Sequence, residues 1–318
     1  MAANVFNKAQ ILRDTTLALL EREIVLPGLV WRDPGGSFRG ALGDTISLRL
    51  PAYAEARTRV LRSGSARTKD HLHERVVDVK LDTDIYFDVD VTVEQLTLDV
   101  RDFSAQVLNP IVAAHVRRYE QIVADLMANA DYPAAHNIEL DVSDPYNTFV
   151  DARKLLNDAR VPMDGRVAVV GSSVEAALLK SPQFARADQA GDANALRGAT
   201  VGRVAGFNVV TAPVLDPDEG YVFHRTAFAL SSQAPDVPQG ASAGFQASGG
   251  GFSMLVVQNM AADDIIDQIK TSAFAGAQIV EDHGEFTNGQ WTPSDDPDVE
   301  NGTDLEFVRA VRIGPAGS

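Results

Sequence analysis

Residues 104–130 read SAQVLNPIVAAHVRRYEQIVADLMANA, and in them Val107, Leu108, Ile111, Val112, Val116, Tyr119, Ile122, Val123 and Leu126 recur at spacings of three and four. That is the period of one helical face. Arg117, Arg118, Glu120, Gln121 and Asp125 take the other face. The stretch predicts a helix of ~25 residues, a rod of roughly 38 Å at 1.5 Å per residue. Asp102 or Ser104 offers a cap. Pro110 is expected to kink the first turns, because it lacks an amide proton and crowds a preceding carbonyl.

Upstream, Thr45-Ile46-Ser47-Leu48-Arg49-Leu50 alternates as a half-buried strand does, and strand pattern returns at 76–81 and 85–91. Between them, 51–75 is rich in Ala, Arg, Ser, Gly and Thr and has no apolar periodicity. Such a stretch is long for a loop in a compact domain and points to function or to ordering by a partner. Its flanking strands are placed to pair antiparallel, leaving a long hairpin. Nearer the start, Ile11, Leu12, Thr15, Leu19 and Leu20 mark one helical face over 8–23. The apolar run 24–31 follows, broken by Pro27-Gly28 and so not expected to stay helical. Its own domain or a neighbouring subunit must cover that run.

Downstream the pattern turns to alternating helix and strand. Helices are expected near 148–159 and 172–180, and strands at 166–170, 206–210, 221–223, 227–230, 252–258, 265–272, 274–281 and 305–313. Residues 264–269 suit a helix equally well, and the Gly/Ser/Ala stretch 239–251 reads as a loop. The class is α+β.

The chain has 318 residues, 45% hydrophobic, enough to bury a substantial core. It has no cysteine, which excludes disulfides, thiolate zinc sites and thiol nucleophiles, and suits a reducing cytoplasm. The first residues do not read as a signal peptide, and no window has the ~18 apolar residues of a membrane span. Net charge is −16, the wrong balance for a protein that binds nucleic acid tightly. Charge is uneven along the chain. Residues 49–80 hold eight basic and four acidic groups, whereas 281–306 hold nine acids and no Lys or Arg. One reading is a solvated loop and a solvated tail; the sharper one is a basic arm on one subunit meeting an acidic surface on another.

No enzyme constellation stands out. Val169-Val170-Gly171-Ser172-Ser173 joins a strand to a helix, but it lacks the second glycine of a nucleophile elbow and the Gly-Lys-Ser/Thr ending of a phosphate loop. Ser172 or Ser173 is expected to cap the helix instead. His71 and His73 lie in the basic loop without a second ligand pair. Asp82, Asp84, Asp88 and Asp90 look like paired acids, but their alternation is also that of a strand's solvent face. His115, His136, His224 and His283 are scattered, and Gly249-Gly250-Gly251 has no strand–helix frame around it. No metal or other cofactor is expected.

The order of elements resembles the major capsid proteins of tailed phages with the Hong Kong 97 fold, and more narrowly the coat-protein branch of short-tailed enteric phages and their actinobacterial relatives. The stretches that carry it are 17–21 with 24–30, 43–51, 94–98 before Phe103-Ser104, 161–166, 202–209 and 276–280. The resemblance implies an N-terminal arm (1–43), an extended β-hairpin loop (44–84), a peripheral domain with a long spine helix (85–145 and 250–283) and an axial domain (146–249 and 284–318). It also implies pentamers and hexamers that close an icosahedral head around double-stranded DNA, without sequence-specific binding, in a virion assembled in the host cytoplasm. The partners implied are the chain itself, portal and scaffolding proteins and, in some relatives, a decoration protein; no membrane is involved. No long charged segment precedes the arm, so scaffolding is expected as a separate protein or the arm as processed. Crosslinking through Lys69 is not carried over, for want of a partner motif.

Inter-subunit contacts are expected at Arg57, Arg59, Arg62 and Arg67 of the loop and at Leu26, Leu29 and Trp31 of the apolar run. Two other readings stay open at this point. One is an encapsulin-like bacterial nanocompartment shell, and the other an α/β hydrolytic enzyme using Ser172 or Ser173.

Overall fold

The computed structural model describes residues 24–32, 45–50, 56, 58–62, 66, 69, 75–92, 104–181, 202–241, 243–249, 252–260, 266–287, 290–293 and 305–315. In chain order, one helical turn α1 (Leu26–Leu29) precedes β1 (Trp31–Arg32), β2 (Thr45–Leu50), β3 (Arg75–Lys80) and β4 (Thr83–Thr92). A π-turn, Ser104–Leu108, leads into the long helix α2 (Asn109–Asn129). Then come β5 (Asn137–Glu139), α3 (Pro145–Asp158), β6 (Arg166–Val170), α4 (Ser172–Lys180), β7 (Arg203–Val204), β8 (Phe207–Thr211) and β9 (Gly220–His224). The remaining elements are β10 (Phe228–Gln233), β11 (Ala243–Gly249), β12 (Phe252–Met260), β13 (Ile266–Ile279), β14 (Asp282–Thr287), β15 (Gln290–Pro293), β16 (Leu305–Glu306) and β17 (Ala310–Gly314). This is the expected α+β mixture. The described residues fall into two compact units, the first drawn from Met1–Ile46, Val79–Ala130 and Phe228–Ile279, the second from the rest.

In the first unit α2 packs on a sheet ordered β1-β10-β13-β12-β11, with β4 paired along β13. Most of the predicted stripe does the packing: Ile111, Val112, Val116, Tyr119 and Val123 are buried, whereas Ile122 and Leu126 are half-buried and Ala124, Met127 and His115, which the predicted stripe leaves out, are buried. Each large apolar side chain so buried contributes on the order of 1.5–3 kcal/mol. Tyr119 is wholly buried, so its hydroxyl needs partners. It bonds the Ser232 hydroxyl at 2.5 Å and donates to the Ser253 carbonyl at 3.0 Å. The Phe252 ring packs on Tyr119 edge to face at 5.5 Å. Pro110 sits in the first turn of α2, and the turn before it is π rather than α. A wider turn there suits a residue that has no amide proton and crowds the chain behind it.

Three sequence expectations change in this unit. Pro27 does not break the apolar run but starts α1, in the first turn, where no intrahelical amide bond is needed. The runs 265–272 and 274–281 form one strand, β13, which pairs with β10, β12 and β4. The supposed loop 239–251 contains β11, held by a seven-pair register to β12. Its Gly and Ser residues supply ladder bonds without apolar side chains, so no periodicity marks it. Gly276 is required by contact: a Cβ there would lie 1.9 Å from the Lys80 carbonyl oxygen.

In the second unit a sheet ordered β5-β17-β9-β6-β8-β7 carries α3 and α4. Phe149, Ala152 and Leu156 of α3 and Val174 and Leu178 of α4 meet Ala168, Val170, Val222, Val311 and Ile313 of the sheet. The Arg166 guanidinium closes the end of α3, donating to the Pro162 carbonyl (2.8 Å), the Val161 carbonyl (2.5 Å) and the Asn157 side chain (2.8 Å). The Val161 and Pro162 carbonyls belong to the loop that follows the helix, and the guanidinium also reaches the Leu156 carbonyl in the helix's last turn, at 3.4 Å. A smaller sheet, β15-β14-β16, belongs to the same unit. There Arg309 grips Asp282 with two bonds, at 2.5 and 2.6 Å.

Neither Ser172 nor Ser173 caps α4. Gly171 holds the cap position, and no side-chain oxygen bonds the turn. The amides of Ser173 and Val174 go to the Pro217 carbonyl, at 2.9 and 3.4 Å. A Cβ on Gly171 would lie 2.1 Å from the Asp216 carbonyl, so this close approach of two backbones admits only glycine.

Candidate functional site

The basic loop belongs to a two-stranded ribbon. β2 pairs with β3, and the Ser47 hydroxyl donates to Asp78 at 2.6 Å. Alternation holds along β2, where Ile46 and Leu48 are buried and Ser47 and Arg49 exposed. Between the strands every described residue is exposed: Ala56, 58–62, Ala66 and Lys69. Leu61 and Arg62 form a turn, with Arg62 in the left-handed region at φ 66°. An arginine there costs about 1 kcal/mol. The turn presents Val60 at 76% exposure and Leu61 at 86%, the highest values among the described large hydrophobics. Arg59 and Arg62 bracket this apolar pair. Arg57, Arg67, His71 and His73 lie outside the described residues.

The apolar run near the start is covered by its own unit. Leu26 and Val30 are buried, and Leu29 and Trp31 half-buried. The Val25 amide donates to Glu120 of α2 at 2.9 Å, and β1 joins the sheet parallel to β10. Arg32 stacks over the Phe252 ring, 4.9 Å from its centre. Leu26 therefore has no surface left for a neighbour; of the two covers considered for the run, its own domain supplies this one.

A second feature lies where α2 meets β4. Asp84, Ile85, Tyr86, Phe87, Ala114, His115 and Arg118 line an open cleft of about 350 Å³. Tyr86 is 69% exposed. His115 braces the floor. Thr271 donates its hydroxyl proton to the Phe87 carbonyl (2.9 Å), so the His115 Nε2–H donates to Thr271 (2.8 Å) and Nδ1 is left as an acceptor. That Nδ1 is buried and has no partner among the described residues. Burial outweighs the nearby Asp84 charge and lowers the His115 pKa to about 4.

Along β4, Asp84, Tyr86, Asp88 and Asp90 alternate on the exposed face, and Ile85 and Val91 are buried. Asp82, beside the strand, is exposed too and accepts from Thr83 at 3.0 Å. Ser272 donates to Asp84 at 2.6 Å. The solvent-face reading of these acids is the one the structure supports. β4 pairs with β13 on one edge, and no other described strand pairs with it.

The remaining candidates are structural. Ser172 and Ser173 are exposed, and among the described residues neither hydroxyl meets an imidazole. His136 bonds the Ala310 carbonyl at 3.0 Å and His224 the Thr226 hydroxyl at 2.8 Å; burial lowers both pKa values. His283 is half-buried on β14, and Gly249 ends β11. Among the described residues no three His, Asp or Glu side chains are grouped to hold a metal ion. No described helix is long and apolar enough to cross a membrane.

A family model described as "Phage capsid protein" matches residues 76–311. No curated protein matches by sequence. The fold is similar to that of Mycobacterium phage Che8, with a TM-score of 0.57 at 21% identity over 81% of this chain and 88% of the other. It is similar also to the capsid of the cyanophage P-SCSP1u, with a TM-score of 0.60 at 13% identity over 93% and 89%. A virus-like particle from Pyrococcus furiosus gives a TM-score of 0.50 at 12% identity over 87% and 96%. At such identities the likeness is one of fold.

Proposed function

The chain belongs to the phage capsid protein family, it has the Hong Kong 97 type of fold, and from that premise we propose how it builds its shell. It is a major capsid protein that forms the head shell and resides in the virion. Our reading is that it self-associates into pentamers and hexamers and closes an icosahedral head around double-stranded DNA. Portal and scaffolding proteins join the assembly, and the outer face is where a decoration protein would bind. The arm and extended loop take the ranges given by the resemblance; the peripheral domain is read as the unit of Val79–Ala130 and Phe228–Ile279 and the axial domain as Asp131–Ala227 and Val280–Ser318, because β10 and β11 share the sheet of β12 and β13, and the role is structural, without catalysis.

The observation that carries this is the family match, which runs through β3 and β4, the spine helix α2 and both sheets. The ribbon tip adds a physical reason. Val60 and Leu61 contribute nothing to their own core, and a shell subunit needs such surfaces. Each contact need only be weak, because many form at once. Arg57, Arg59, Arg62 and Arg67 are read as resting on an acidic surface of a neighbouring subunit. The net charge of −16 fits a wall past which DNA must slide without sticking.

Fold alone does not separate a genome head from a nanocompartment; the family match favours the head. Expression of the chain, alone and with a candidate scaffolding protein, followed by electron microscopy tests the reading. Closed shells or capsomer rings are expected, and a persistent monomer would contradict it.

A further inference from the structure

We propose that β11 pairs edge to edge with β11 of a second copy, antiparallel and centred on Gln246, so that the first unit's sheet runs on from one subunit into the next. This rests on the reading that the chain assembles with itself, and it names a surface that reading leaves open.

The sequence supplies the first observation. Residues 237–262 contain no Asp, Glu, Lys, Arg or His, and no other stretch of the chain goes so far without one. The subunit as a whole carries a net charge of −16. Two copies repel wherever their acids meet, and a large charge of one sign opposes association. A contact made through this run escapes that penalty. The structure folds the run into a hairpin of β11 on β12 and leaves β11 outermost in its sheet. Its seven residues pair with β12 in an unbroken register, so no bulge bends the strand away. Nor does it carry a charge or a proline, the other devices that keep edge strands from pairing. β4, the other long strand with a free edge, carries Asp84, Asp88 and Asp90.

In an antiparallel pair every second residue turns its N–H and C=O away from the partner. Among the described residues no backbone group of β11 bonds anything outside the hairpin, so those outward groups are left to water or to a further strand. Ala243, Gly244, Gln246 and Ser248 are exposed, and Phe245 is half-buried. The Gln246 side chain is held by its own subunit, its amide donating to the Pro235 carbonyl at 2.6 Å and to Asp236 at 3.3 Å. Asp236, the acid just before the run, is thereby engaged. A second copy is the occupant this edge fits. A basic or acidic strand would find no charge here to answer its own. Antiparallel pairing centred on Gln246 sets that residue opposite itself, Phe245 opposite Ala247 and Gly244 opposite Ser248. A two-fold axis then needs only this edge on each side. No carboxylate faces another in that register, whereas two β4 edges would set aspartates against aspartates.

The chain has no cysteine, so Gln246→Cys carries a single thiol, which the proposed register sets opposite its own copy. Mild oxidation of assembled shells is expected to give a covalent dimer on a non-reducing gel, collapsed by reductant. Ser248→Cys, which faces Gly244, should link roughly tenfold less, and linkage should return when Gly244→Cys and Ser248→Cys subunits are assembled together. Intact Gln246→Cys shells without the dimer, or equal linkage at 246 and 248, would overturn the proposal while leaving the capsid reading standing; only failure of the parent chain to assemble strikes that reading. Charge gives a second test that needs no thiol. Gln246→Lys and Gln246→Glu each set like charges face to face, a small penalty repeated at every such contact in the shell. Each alone should lower shell yield roughly tenfold or more with the subunit's melting temperature unchanged, and the two mixed should recover most of it. Full yield from either alone, or loss without recovery on mixing, would count against the pairing.

Discussion

The spine helix and the ribbon tip both carry apolar residues among arginines, and they use them oppositely. On α2 the stripe from Ile111 to Met127 is covered by the chain's own sheet, and even the Tyr119 hydroxyl has two partners. At the tip Val60 and Leu61 face outward on a turn that holds Arg62 in a costly conformation. Periodicity tells the two apart. A residue repeated at three and four has a partner surface within the domain, whereas an isolated apolar pair in a polar stretch must find one elsewhere. The first kind should govern folding, the second assembly.

The sharpest way to break that contrast is to cut the spine. Tyr119→Ala removes a wholly buried ring and leaves Ser232 and the Ser253 carbonyl short of a partner. It should cost about 3–5 kcal/mol, seen as a lower urea midpoint, before any effect on assembly is reached.

Acid should act on the spine as well. His115 is neutral in the folded protein, with a pKa lowered from 6.5 to about 4 by burial. A group whose proton affinity is depressed on folding gives stability that is complete above its unfolded value. That stability is lost as pH falls from 6.5 towards 4, because the unfolded chain takes up the proton first. The full difference is about 3 kcal/mol. Unfolding free energy measured from pH 7.5 to 4 should fall less steeply for His115→Gln than for the parent. His136 and His224, also depressed, remain in both proteins and cancel in the comparison.

A smaller loss is expected at the joint between the two regions. Gly276→Ala forces a methyl against the Lys80 carbonyl where the ribbon's second strand ends. Moving that backbone should cost roughly 1–3 kcal/mol. Thermal unfolding checks it, and an unchanged melting temperature would mean that the approach is looser than described.

These contrasts also explain what could be read from the chain. α2, β2, β3 and β4 were legible because each has a polar and an apolar side. β11 was not, since Ala243–Gly249 is stabilised by a backbone register with β12 and not by its own side chains. Nor was the unity of β13, whose length comes from three neighbours distant in sequence. The Ser172 cap failed because the deciding contact, Gly171 against Asp216, is also non-local. At the candidate site charge alone drew attention to Arg59 and Arg62. Val60, Leu61 and the cleft needed coordinates, for neither an apolar pair nor a concavity has a period.

The central claim is that the tip serves assembly and not folding, and one double variant tests it. Val60→Ser with Leu61→Ser should leave the unfolding free energy of the unassembled subunit within about 0.5 kcal/mol of the parent. In electron micrographs the same protein should give few or no closed shells. Parental shell yield, or a subunit that unfolds several degrees earlier, would contradict the account.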